Sequence, residues 1–94
     1  MSTKVPTAKL RLGKIVSTPN ALSQLAHDEI LIGIQRHQAG DWGDVNEHDR
    51  DANKRALTEG TRIWSVYHTG QNVKFWIITE ADRSATTVLL PDDY

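Results

Sequence analysis

The stretch that decides the fold is RIWSVYHTGQNVKFWIITEADRSATTVLLPDDY, residues 62–94. Three apolar runs rich in β-branched and aromatic residues are separated by two short polar turns, so the segment reads as an antiparallel three-stranded meander. A two-residue loop at Gly70-Gln71 pairs Val66 with Phe75 and Trp64 with Ile77. That register puts Trp64, Val66, Val73, Phe75 and Ile77 on a core face. Ile63, Ser65, Tyr67, Lys74, Trp76 and Ile78 then lie on the opposite, solvent side. A second two-residue loop at Asp82-Arg83 adds Val88 and Leu90 to the core face and Thr87 and Leu89 to the other. Pro91 ends the last strand.

Upstream, Leu10 and Leu12 alternate within residues 9–16, which predicts a first strand. Thr18 suits a helix N-cap and Pro19 the first helical position. A short helix follows with Leu22, Leu25 and Ala26 inward. Asp28 then caps a second helix, Glu29 to Gln38, whose Ile30, Leu31 and Ile34 have helical spacing. Gly33 inside it costs about 1 kcal/mol relative to Ala, which points to something packed close. Gly40-Asp41-Trp42-Gly43-Asp44-Val45 is a loop whose glycines suit positive φ and present the indole in one direction. Asn46 caps a third helix, Glu47 to Glu59, with Ala52, Ala56 and Leu57 as its apolar stripe. Gly60 stops it. Residues 1–7 read as a loose arm. Strand, helices and meander together predict one α+β domain, residues 1–94, with helices on one face of an antiparallel sheet.

Composition narrows the function classes. Apolar content of 38% and charged content of 24% are those of a globular chain. At 94 residues it buries a small core, so a stability on the order of 5 kcal/mol is expected. There is no cysteine, hence no disulfide and no thiolate metal site; a reducing cytoplasm suits it. The polar start has no signal-peptide core, and no apolar run approaches the ~20 residues of a membrane helix. Eleven Lys and Arg stand against 12 Asp and Glu, which argues against a general DNA-coating protein. No phosphate loop, nucleophile elbow, His-Glu-x-x-His or Cys-x-x-Cys is present. No cofactor is expected. His48 with Asp44, Glu47 and Asp49 matches no metal-loop spacing, so no metal is expected either.

Three constellations carry chemistry-bearing residue types. The first is the sheet face of Tyr67, Lys74 and Trp76, a stacking platform with a cation beside it, suited to bases or to a protein; a terminus could equally cover it. The second is the polar corner Thr79 to Thr87. There Arg83 could clamp a phosphate, while a plain turn with a surface ion pair explains the same residues. The third is His37, a general base if poised by Asp41, or a helix C-terminal histidine meeting the dipole. Five of the 12 acids fall between Asp41 and Asp51. Such a cluster can mimic phosphate toward a basic partner.

The segments His37-Gln-Ala-Gly-Asp-Trp-Gly-Asp-Val, Asp51-Ala-Asn-Lys-Arg-Ala-Leu and Trp76 through Tyr94 resemble a widespread family of small bacterial proteins carried on plasmids and other mobile elements. Some members bear the label of a type I restriction subunit M. Ninety-four residues cannot hold a methyltransferase domain, so the resemblance implies no activity. At fold level, strand, helices and terminal meander resemble the barnase, EndoU, colicin and RelE-type ribonucleases. That likeness implies RNA cleavage, with His37 as acid or base, Arg83 as phosphate clamp, and Thr79 and Thr87 as hydrogen-bond donors. The near-neutral charge departs from the basic toxins of that group. The competing expectation is a non-enzymatic interaction module, for example an inhibitor of a host defence complex, binding through Asp41, Trp42, Asp44, Tyr67, Lys74 and Trp76. The partner is RNA in the first reading and a host protein in the second, and a homodimer through an open strand edge is a further expectation.

Overall fold

The computed structural model describes residues 10–94; the expected loose arm and Lys9 lie outside them. Of the strand expected over residues 9–16, residues 10–13, with Leu10 and Leu12, are irregular, while the strand itself runs Lys14–Ser17. The elements are β1 (Lys14–Ser17), α1 (Pro19–Gln24), α2 (His27–Gln38), α3 (Glu47–Glu59), β2 (Ile63–His68), β3 (Lys74–Thr79) and β4 (Ala85–Leu89), followed by a 3-10 turn, Pro91–Asp93. The four strands form one sheet in the order β1-β4-β3-β2. The meander β2-β3-β4 is antiparallel, and β1 adds to β4 in parallel. The α+β class is as expected, with a mixed rather than purely antiparallel sheet. Among the described residues no helix is long and apolar enough to cross a membrane.

The second hairpin has the expected register, Thr79 opposite Thr86 and Ile77 opposite Val88. The Arg83 N–H bonds the Glu80 carbonyl, and the Glu80 N–H bonds that of Ala85. The loop is therefore longer than two residues but centred on the same point, so the pairing is unchanged. The first hairpin is different. The Asn72 N–H bonds the Thr69 carbonyl, the Thr69 N–H bonds that of Val73, and Asn72 sits at φ 66°. This is a three-residue loop closed by a left-handed residue, a conformation that Asn tolerates. The added residue slips β2 by one against β3, so Val66 pairs with Trp76 and Tyr67 with Phe75.

A one-residue slip exchanges the faces of a strand. The expected placement of Trp64 and Val66 with Phe75 and Ile77 is corrected accordingly. Ile63, Ser65 and Tyr67 share the helix-covered face with Phe75, Ile77, Thr79, Thr86 and Val88. Trp64, Val66, Trp76, Ile78, Thr87 and Leu89 share the outer face.

Helix starts follow local chemistry. The Thr18 hydroxyl accepts the Ala21 N–H at 3.0 Å, and Asn46 accepts the Asp49 N–H at 2.8 Å. Gly60 ends α3 at φ 74°. α2 begins two residues earlier than expected: Ala26 rather than Asp28 is its N-cap, and its N–H donates to the Glu29 carboxylate. The core draws Ala21, Leu25 and Ile30 against Tyr67, Phe75, Ile77 and Val88. Leu22 is 61% exposed and Ala26 is also exposed, contrary to their expected inward placement. A Cβ on Gly33 would stand 3.0 Å from the Phe75 ring, so the missing side chain lets α2 pack closely on β3 here. A second cluster gathers Leu10, Trp42, Val45, Ala56, Ile63 and Val66 where α3 and the Asp41–Val45 loop meet β2.

Candidate functional site

His37, on the last turn of α2, is fully buried, and both ring nitrogens are engaged. Nδ1 lies 2.6 Å from the Ser65 hydroxyl and Nε2 lies 2.8 Å from that of Thr79. Thr79 continues to Thr86 at 2.7 Å, and the Thr86 hydroxyl donates to the Leu12 carbonyl at 2.7 Å. That last bond sets the protons as far as the ring. With its hydrogen on Leu12, Thr86 must accept from Thr79, and Thr79 must accept from His37 Nε2–H. Burial keeps the ring neutral, and in the neutral Nε2–H tautomer Nδ1 accepts from Ser65. Burial, and secondarily the charge of Arg83, lowers its pKa to about 4.

The structure joins two of the four residues assigned to catalysis and separates the others. His37 and Thr79 are hydrogen-bonded, both without solvent access. Arg83 caps the C-terminal end of α3: its guanidinium donates to the carbonyls of Thr61 (2.6 Å), Glu80 (3.1 Å) and Ala56 (2.9 Å). Thr87 is on the outer face, one pleat away from Thr86 and across the sheet from His37. Asp41 does not reach His37. Its carboxylate takes two bonds from Arg36, at 2.7 and 3.1 Å, which hold it below the usual carboxylate range.

The expected partner-binding residues also divide. Trp42 is 4% exposed and packs inward. Tyr67 is buried on the helix face, its hydroxyl donating to the Asp41 carbonyl at 2.6 Å and Arg36 lying 4.6 Å over its ring. Burial pushes its phenol up in pKa. Asp44 is hydrogen-bonded to His68 at 2.7 Å. Lys74 is exposed, and Trp76 is half-buried on the outer face. The platform of Tyr67 beside Trp76 therefore does not form; the hairpin slip puts them on opposite sides.

The same slip builds a different aromatic surface. Trp64 joins Trp76 on the outer face, ring centroids 5.2 Å apart and planes at 83°. Tyr94 stands over Trp76 at 5.7 Å and 68°, again edge to face. With Ile78 and Arg62 they enclose a hollow of about 230 Å³. Arg62 donates to the Tyr94 hydroxyl at 2.7 Å. Tyr94 is carried there by the 3-10 turn, which Asp93 pins to the start of α1 by accepting from Thr18 (2.6 Å) and Asn20 (3.0 Å). Those two bonds, with one from the Leu90 N–H, hold the Asp93 carboxyl below its usual range. Asn72, whose left-handed tolerance lengthens the loop, was the sequence signal for this face.

Sequence reasoning passed over Asn53. It is 3% exposed and faces the outer edge of β2, donating to the Trp64 carbonyl at 2.8 Å and accepting the Trp64 N–H at 3.2 Å. The next stretch of that edge is taken by the loop, with Val66 N–H to the Trp42 carbonyl and Asp44 N–H to that of Val66. Among the described residues no three His, Cys, Asp or Glu side chains gather as a metal site. No protein-family model matches the chain, and no curated protein or solved structure does either.

Proposed function

We propose that this chain is a non-enzymatic interaction module that docks a partner protein on the outer face of its sheet. The observation that carries this reading is the hollow among Trp64, Trp76, Ile78 and Tyr94 on the outer sheet face, where the two indoles are half-buried and Tyr94 is exposed. Tryptophan and tyrosine supply rigid, amphipathic contact area, the residue types that dominate protein-binding hot spots. The ribonuclease-like reading is less well supported. A general acid or base must come within hydrogen-bond reach of the substrate, whereas His37 has no exposed surface and both nitrogens are occupied. A role in the cytoplasm, against a protein of the host that carries the mobile element, fits the family resemblance.

The test replaces Thr87 on the outer face with a photo-crosslinking phenylalanine analogue, and Ile32 on α2 as the control position. A partner captured at residue 87, then purified and reassembled into a stoichiometric complex that Trp76→Ala abolishes, is the expected result. Cleavage of RNA by the purified chain, lost in His37→Asn with the fold retained, would overturn the reading in favour of a nuclease.

A further inference from the structure

We propose that the hollow beside Tyr94 takes one apolar side chain from an acidic segment of the partner, with Arg62 receiving the neighbouring carboxylate. This rests on the interaction-module reading above and adds the chemistry of what is bound.

Size and lining limit the occupant. About 230 Å³ is below the ~300–1,000 Å³ of pockets that enclose drug-sized ligands, and suits a single leucine-like or ring-bearing side chain. Its walls are two indoles, a phenol and the Ile78 side chain, which reward burial of apolar surface. Arg62 is the cation in the lining, and its side chain is 48% exposed. One terminal nitrogen is spent on the Tyr94 hydroxyl. The other forms an ion pair with Glu80 at 3.7 Å, too long for a hydrogen bond, so an incoming carboxylate competes with Glu80 for the remaining donors of the guanidinium. The planar fork matches a carboxylate. A polyanion fits less well, because strand binding needs a run of cations along the backbone and the lining offers Arg62 alone. An apolar side chain next to one carboxylate uses both the walls and the arginine.

The probes are three blocked hexapeptides with a central leucine flanked by aspartates, by asparagines or by lysines, titrated into the full chain. The readout is the indole N–H resonances of Trp64 and Trp76. The expected order is aspartate over asparagine by about three- to fivefold, the worth of one partly exposed ion pair, with lysine weakest. Arg62→Ala should erase the aspartate advantage, Arg62→Lys should keep part of it, and Glu80→Gln should widen it. Equal binding of the aspartate and asparagine peptides would overturn the role of Arg62 and leave the groove reading standing. Preference for the lysine peptide would overturn the proposal in favour of a cation held by the rings and Glu80. If no peptide moves either indole resonance, or if oligouridine moves them at lower concentration than any peptide, both the proposal and the protein-docking reading fall.

Discussion

The side-chain amide of Asn53 exchanges two hydrogen bonds with the backbone of Trp64, one to its carbonyl and one from its N–H. A residue of α3 thus stands in for the missing neighbour strand of β2. Sheet edges carry rows of unpaired polar groups that template association, and here the edge is closed by an amide and by the Trp42–Asp44 backbone. Replacing Asn53 with Leu should cost about 2–3 kcal/mol, because two backbone groups in a part-buried setting lose their partners. Urea unfolding measures the cost. The variant should also show concentration-dependent association by light scattering, which a purely packing defect would not produce.

His37 supplies a pH dependence. Its folded pKa of about 4 lies below the unfolded 6.5, so between those values the unfolded chain binds more protons than the folded one. Stability is therefore full above pH 6.5 and falls as pH drops toward 4, by about 3 kcal/mol over the window. Urea midpoints taken at intervals between pH 7 and 4 should fall in the wild type. In His37→Asn, weaker at pH 7, the midpoint should change far less across that window. Parallel slopes in the two proteins would remove His37 as the cause.

Arg83 combines a cost and a gain. Its backbone sits at φ 63°, disfavoured for a residue with a Cβ by roughly 1 kcal/mol, while its guanidinium holds three carbonyls. Arg83→Ala loses the bonds and keeps the strain, so it should destabilise by about 2 kcal/mol. Arg83→Gly loses the same bonds but relieves the strain, and should be about 1 kcal/mol more stable than the alanine variant. Thermal unfolding of the pair resolves the difference.

Gly33→Ala sets helix propensity against packing. Alanine gains up to ~1 kcal/mol in a helix interior. Its Cβ would meet Phe75 at 3.0 Å and Ile77 at 3.2 Å, and both of those side chains are buried. Overpacking of this kind costs about 1–3 kcal/mol, so net destabilisation of about 1 kcal/mol is expected from urea unfolding. A more stable variant would mean that the Phe75 ring gives way freely.

Sequence by itself determined what short-range chemistry can specify. Thr18, Asn46 and Gly60 mark their helix ends through bonds or dihedrals that involve only a few neighbouring residues. The second hairpin was legible because its loop is symmetric about Asp82-Arg83. The candidate site was less so. The face of β2 hung on whether the first loop had two residues or three, and the left-handed Asn72 added the third. That one residue put Trp64 beside Trp76 and buried Tyr67. Tertiary structure alone decided that β1 pairs with β4, that Asn53 seals the edge of β2, and that His37 belongs to an interior hydrogen-bond chain. Each of those contacts joins residues 11 to 74 positions apart in the chain, by partners that no local pattern names.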